Sequence, residues 1–293
     1  MTAQRERWIE SNGVRLWCET LGDPGDPAIL LVMGLGAQGT AWPDDFCEML
    51  RAGGRYVIRY DNRDTGLSER VDYAARPYTL TDLADDAAGL LDGLGVEAAH
   101  LVGASMGGMI AQEIALEHPG RVRTLTAVMS TAAALDPETS AFQGSERDPR
   151  LLAWDARQAA DPPVTADEHI QARVDLARIV TGSLSPFDEP ATRRIIARDV
   201  ARAGDLAHTM RNHVLAVTAS RDRSGLVGSI KAPALVIHGT EDPMAPFEQG
   251  RALAAAIPGS VFMPIEGMGH TLPAPALARI AAAILAHTGG ADR

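Results

Sequence analysis

The ten residues "HLVGASMGGM", 100–109, decide how the chain is read. A short apolar run ends at Gly103, Ser105 follows between small residues, and a helical pattern runs from Met106 to Glu117 until Pro119-Gly120 stops it. Gly103-Ala104-Ser105-Met106-Gly107 fits G-x-S-x-G, with a strand before it and a helix after it. In that setting a serine sits on a strained turn that lifts its hydroxyl past the sheet. Glycines two before and two after remove side chains that would collide with neighbouring backbone. The helix N-terminus behind the serine aims free N–H groups at the site. The spacing marks Ser105 as a nucleophile rather than as part of a plain strand-to-helix turn. A dinucleotide-binding loop fits poorly, because the first such turn of the chain lacks the required glycine spacing.

Outward from this turn, strands and helices alternate. "RWIE", Asn12-Gly13 and "VRLWCET" read as a hairpin, since Asn-Gly favours the positive φ angles of a tight turn. "AILLVM", "RYVIRY", "AHLV" and "TLTAVM" are apolar runs suited to strands buried on both faces. Between them lie two helical faces, one on Trp42, Phe46, Met49 and Leu50, the other on Leu80, Leu83, Ala84, Ala87, Leu90, Leu91 and Leu94. The rhythm lapses from Thr131 to Ile230, where segments such as "RLLAWDARQAA" and "HIQARVDLARIV" are helix-like and no strand pattern occurs. It returns with "ALVIH", "VFMPI" and a last helix through Leu277, Ile280, Ile284 and Leu285. The expected architecture is an α/β core from residues 1–130 and 231–293, with residues 131–230 as an inserted helical cap.

A serine hydroxyl needs a base, and the base needs a carboxylate to hold its tautomer. His270, in "PIEGMGHTLP", falls after the last strand, on a loop at the same sheet edge as Ser105. His238 ends a strand near that edge and reads as structural; His100 starts a strand on the far side, and the other five histidines lie in the cap or on helix ends. Asp242 in "HGTEDPMAP" is the expected acid, with its direction restricted by Pro243. Asp136 is the second choice. The order serine, acid, histidine suits this architecture. The oxyanion hole is expected from the backbone N–H groups of Met106 and of Leu35 in Met33-Gly34-Leu35-Gly36, with Gly34 allowing the tight turn. Met33, Gly34 and Met106, and less directly Met244 and Met268, are candidates to line an apolar, adaptable substrate pocket. A neutral His270 acting as base predicts a kcat/KM that falls on the acid side through one ionisation.

The bulk composition narrows the partners. The chain has 293 residues, 46% hydrophobic and 22% charged, as an ordinary globular protein does. Its formal net charge is −11, and about nine of those negative units lie outside residues 131–230. An acidic surface argues against nucleic acid and anionic membranes. Cys18 and Cys47 are too few for a disulfide framework or a cysteine zinc site and read as free, buried thiols. The N-terminus has no signal-peptide pattern, and no run approaches the roughly 20 apolar residues of a membrane span. The expectation is a cytoplasmic protein that binds no metal.

These motifs resemble the α/β-hydrolase family over nearly the whole chain. "LLVMGLGAQGTAWPDDF", "VIRYDNRDTGLS", "GASMGG", "HGTEDPMAP" and "IEGMGH" are most similar to a serine esterase group that includes aclacinomycin methylesterases and actinobacterial lipase/esterase-like proteins. Met33-Gly34 stands where many relatives carry His-Gly. "RYDNRDTGLS" resembles the family's D-x-R-G-x-G-x-S segment with Asp64 in place of glycine, and Asp61, Arg63 and Ser68 read as a structural loop. The resemblance implies an eight-stranded, mostly parallel sheet, a helical cap after the sixth strand, and no cofactor. It implies ester hydrolysis through an acyl-enzyme, with the methyl ester of a bulky hydrophobic, polyketide-like compound as substrate. Carbon–carbon bond hydrolysis and cofactor-free perhydrolysis share the same elbow. A ligand receptor with a vestigial triad is the non-enzymatic alternative.

Overall fold

The computed structural model describes residues 5–203 and 206–292. Strands β1 (Arg5–Ser11) and β2 (Val14–Leu21) form the expected hairpin, and Asn12 and Gly13 both take positive φ, 46° and 72°. There follow β3 (Ala28–Val32), α1 (Asp44–Ala52), β4 (Tyr56–Tyr60), α2 (Leu80–Leu94), β5 (Ala99–Ala104), α3 (Met106–Glu117) and β6 (Val122–Val128). Helices α4 (Pro149–Ala160), α5 (Ala166–Val180), α6 (Glu189–Ala203) and α7 (Leu206–Ala219) come next. The chain closes with β7 (Ala234–Gly239), α8 (Phe247–Ala256), β8 (Val261–Ile265) and α9 (Ala274–Ala291). The eight strands form one sheet in the order β1-β2-β4-β3-β5-β6-β7-β8. It is antiparallel from β1 to β4 and parallel thereafter.

Strand alternation explains the two cores. In β3, Leu30 and Val32 face the layer built by α2, α3 and α8, while Ile29 and Leu31 face the layer built by α1 and α9. Both sets are fully buried, which is why the run reads as continuously apolar. Helices α5 and α6 share a small third core of Ile170, Val174, Val200 and Ala203. Ala216 and Val217 at the end of α7, with Val227 and Ile230 beyond it, pack instead into the main core beside β7. The helical segment therefore has its own centre but is rooted in the sheet layer. No helix among the described residues is long and apolar enough to cross a membrane.

Cys18 and Cys47 are buried and unpaired, and burial pushes both thiols up to about 12. His100, His213 and His238 are fully buried too. Burial disfavours the charged form of each; for His100 it lowers the value from 6.5 to about 4. The unfolded chain thus binds more protons than the folded one between these values. Stability is fully present above about pH 6.5 and falls as pH drops toward 4, by about 3 kcal/mol from His100 alone. Urea unfolding at pH 7.5 and pH 5 reads the part of this loss reached by pH 5, about 2 kcal/mol from His100. Equal unfolding free energies at the two pH values contradict it.

Candidate active site

Ser105 occupies the turn between β5 and α3 with φ 55° and ψ −123°. A non-glycine residue there stores strain of about 1–3 kcal/mol, which surrounding contacts must hold. Its N–H donates to Val128 O at 2.9 Å, and its carbonyl accepts from Gly108 N at 2.9 Å and Ser130 Oγ at 2.8 Å. The flanking glycines permit the close approach. A Cβ at Gly103 would lie 2.1 Å from Gly107 O, and one at Gly107 would lie 2.0 Å from Val32 O.

The tertiary fold brings the two predicted partners to this turn. His270 Nε2 lies 2.9 Å from Ser105 Oγ, and His270 Nδ1 lies 2.7 Å from Asp242 Oδ2. The carboxylate can only accept, so Nδ1 carries the proton and Nε2 is free to accept the serine's. Asp242 is held by its own turn, in which Met244 N and Ala245 N both donate to Oδ1 at 2.9 Å. The other oxygen is left for the imidazole. His238 sits behind this acid: its Nε2 donates to Ala245 O at 2.7 Å and stands 3.5 Å from Asp242 Oδ2. Asp136 caps its own exposed turn through Glu138 N and Thr139 N, and Glu241 accepts from Ser183 N and Oγ at 2.7 Å. The backbone of His270 donates to Val180 O at 2.8 Å, which ties its loop to the end of α5.

Across from the imidazole, Met106 opens α3, so its N–H has no intrahelical acceptor. The Leu35 N–H likewise finds no acceptor among the described residues. The two glycines of this loop divide the work differently from the sequence expectation. Positive φ falls on Gly36, at 67°, and not on Gly34. Gly34 serves proximity, because a Cβ there would lie 2.9 Å from Ser105 Cβ and 3.5 Å from its Oγ. The side chains of Met33 and Met106 are 7% and 2% exposed and lie in the cores on opposite sheet faces.

Three residues of the inserted helices that spacing did not single out converge on Gly36. His213 Nδ1 accepts from its N–H at 3.1 Å, Arg173 Nη2 donates to its carbonyl at 3.3 Å, and the Met210 sulfur occupies the place of its missing Cβ. Asp64 is a second junction. It holds φ 69°, consistent with the glycine expected at this position, and its carboxylate is fully buried. That carboxylate accepts from Val71 N at 2.6 Å, Tyr78 Oη at 2.6 Å and Asn212 Nδ2 at 3.0 Å. It thereby tethers α7 to the β4–α2 loop. Asp61, Arg63 and Ser68 are all held by structural partners, and Asp61 is paired in addition with Arg202 of α6 at 2.7 Å. Asp61 accepts from Gly39 N and Leu67 N, Arg63 forks onto Asp86, and Ser68 Oγ donates to Asp61 O. Asp64→Ala leaves Val71 N and Tyr78 Oη without an acceptor, takes one of the acceptors of Asn212 Nδ2, which keeps Val71 O, and is expected to destabilise the fold by about 3 kcal/mol. A urea midpoint unchanged from that of the parent counts against the tether.

Comparison with known proteins follows the same lines. A family model described as alpha/beta hydrolase fold matches residues 27–273. The chain belongs to the α/β hydrolase fold family. Rhodomycin D methylesterase DnrP of Streptomyces peucetius is 37% identical over 97% of this chain and 98% of its own length. Rhodomycin D methylesterase DauP of Streptomyces sp. (strain C5) is also 37% identical, with the same coverage. Among solved structures, the enol-lactonase from Burkholderia xenovorans LB400 is similar with a TM-score of 0.74 and 26% identity, covering 96% of this α/β hydrolase and all of that chain. By their names, the first two relatives are methylesterases and the third is an enol-lactonase.

Proposed function

We propose that this α/β hydrolase is a serine carboxylesterase in which Ser105, His270 and Asp242 carry the reaction. Ser105 Oγ attacks the ester carbonyl while its proton passes to His270 Nε2. Asp242 Oδ2 keeps the imidazole oriented and stabilises its charged form. The N–H groups of Leu35 and Met106 receive the oxyanion. Collapse of the tetrahedral adduct breaks the bond to the alkoxy group, which leaves as the alcohol with the proton from His270. Water, activated by the same nitrogen, then attacks the acyl-enzyme and frees the acid and Ser105. The serine–histidine–aspartate relay at 2.9 and 2.7 Å is the observation that carries this reading.

The substrate assigned is the methyl ester of a bulky hydrophobic acid of the polyketide type. The support is the likeness to two rhodomycin D methylesterases over almost the full chain. Residues 131–230 act as the cap above the site. Of Met33, Gly34 and Met106, Gly34 borders the acyl carbon by its approach to Ser105 and Met106 contributes its backbone N–H, while the side chains of Met33 and Met106 belong to the two cores. An anthracycline methyl ester is expected to be cleaved with a kcat/KM at least about tenfold above that of short p-nitrophenyl acyl esters, a margin that burial of the larger apolar body supplies. Equal or reversed values remove the substrate assignment.

A further inference from the structure

Residue Gly36 follows directly on the proposed oxyanion donor Leu35, and the cap grips it from two helices. On the α7 side, the protonation of His213 is fixed by its neighbours. Its Nε2 faces Arg63 O at 2.8 Å, and a carbonyl can only accept, so Nε2 carries the hydrogen. Its Nδ1 faces Gly36 N at 3.1 Å, and an amide can only donate, so Nδ1 is bare. The ring is fully buried, and that burial favours the same neutral form. On the α5 side, the half-buried Arg173 holds the carbonyl of the same residue. Besides these contacts, Asn62 Nδ2 donates to Met33 O at 3.1 Å at the start of the 33–37 turn and Ala37 N donates to Gly34 O at 3.2 Å within it, and among the described residues neither bond engages the Leu35–Gly36 peptide.

We infer that His213, with Arg173 as the second contact, is a positioning residue of the catalytic machinery: it orients the Leu35–Gly36 backbone so that the Leu35 N–H points at the oxyanion. The cap thereby reaches the reacting centre through the backbone as well as over the substrate. This rests on the assignment of Leu35 as an oxyanion donor. Loss of a fixed donor weakens transition-state binding and leaves ground-state binding alone, so the effect falls on kcat and not on KM.

Two substitutions at one position separate the two bonds of His213. His213→Asn places an acceptor oxygen where Nδ1 lies and drops the donor to Arg63. His213→Gln restores a donor near Nε2 and drops the acceptor for Gly36. Both are assayed on p-nitrophenyl acetate, with a phenylboronic acid as the probe whose serine adduct puts an oxygen in the oxyanion hole. The expected result for His213→Gln is a kcat lowered at least about tenfold, a boronate Ki raised by the same factor and KM within about twofold. His213→Asn is expected to keep kcat within about threefold of the parent. Because His213 is buried, Arg173→Leu provides a second measurement on a half-buried side chain, with kcat and boronate affinity falling together several-fold. Parent-like kcat and Ki in His213→Gln and Arg173→Leu overturn the inference, as do equal losses in His213→Gln and His213→Asn. A parent enzyme that does not bind the boronate overturns the catalytic assignment itself, which is a separate outcome.

Discussion

Ser105→Ala is expected to lower turnover of any ester substrate by about 10⁴-fold or more, with the fold intact and substrate binding retained. Its Oγ is the atom 2.9 Å from His270 Nε2, and no other hydroxyl is placed on that nitrogen among the described residues. Asp242→Asn should come close to the same loss, about 10⁴-fold. An amide beside Nδ1 stabilises the wrong tautomer and cannot stabilise the imidazolium. The measurement is labelling by a fluorophosphonate together with steady-state rates. Labelling that persists in Ser105→Ala at the parent's rate places the nucleophile elsewhere. An unlabelled parent protein removes the esterase assignment altogether.

The largest expected loss of stability comes from a single methyl group at Gly107. A Cβ there would stand 2.0 Å from Val32 O, 2.6 Å from Val32 C and 2.9 Å from Met33 O, all of them backbone atoms. Backbone cannot swing aside as a flexible side chain does. Helix α3 must therefore move off β3, or β3 must leave its register between β4 and β5. The cost is about 4 kcal/mol or more, in the range reserved for core overpacking and broken backbone geometry. Soluble yield and the urea midpoint of Gly107→Ala report it. A midpoint within error of the parent's shows that the elbow has slack the structure does not show. Gly36→Ala offers a contrast. Its Cβ would strike the Met210 sulfur at 2.2 Å, the far end of a flexible side chain, so steric cost there is smaller and the strain of φ 67° is the main term.

The difference between these glycines shows what was legible in the chain and what was not. The elbow is local: strand, serine and helix lie within a few residues, and Gly103 answers to Gly107 in the same turn, although Gly107 itself answers to the backbone of Val32 on β3. Its spacing could be read directly. Ser105, Asp242 and His270 are far apart in sequence, but each follows a strand, and all strands from β3 onward are parallel. Parallel order sends those three loops to one edge, so chain order alone was enough to nominate them.

Helix α7 follows a different logic. Among its described side chains the buried face is Thr209, Asn212, His213, Ala216 and Val217, at helical spacing but polar from Thr209 to His213. A search for apolar periodicity passes over such a face. Its polar groups are satisfied by partners 141 to 177 positions away: Asp64, Val71 O, Arg63 O and Gly36 N. A histidine that sits four residues after a threonine and one after an asparagine on a single helical face was the available signal. It could not say what lay opposite.

By itself, then, the sequence determined the layered α/β architecture, the strained turn and the chain order of the residues proposed as nucleophile, acid and base, because these depend on periodicity, local backbone sterics and the direction of parallel strands. Only the tertiary structure decided that helices α7 and α5 grip Gly36 through His213 and Arg173, that Asp64 tethers α7, and that Gly34 approaches Ser105 where Gly36 makes the turn. Those are contacts between segments with no sequence relation to each other. They exist because burying a polar helix face requires partners, and the folded chain supplies them from loops that spacing cannot connect.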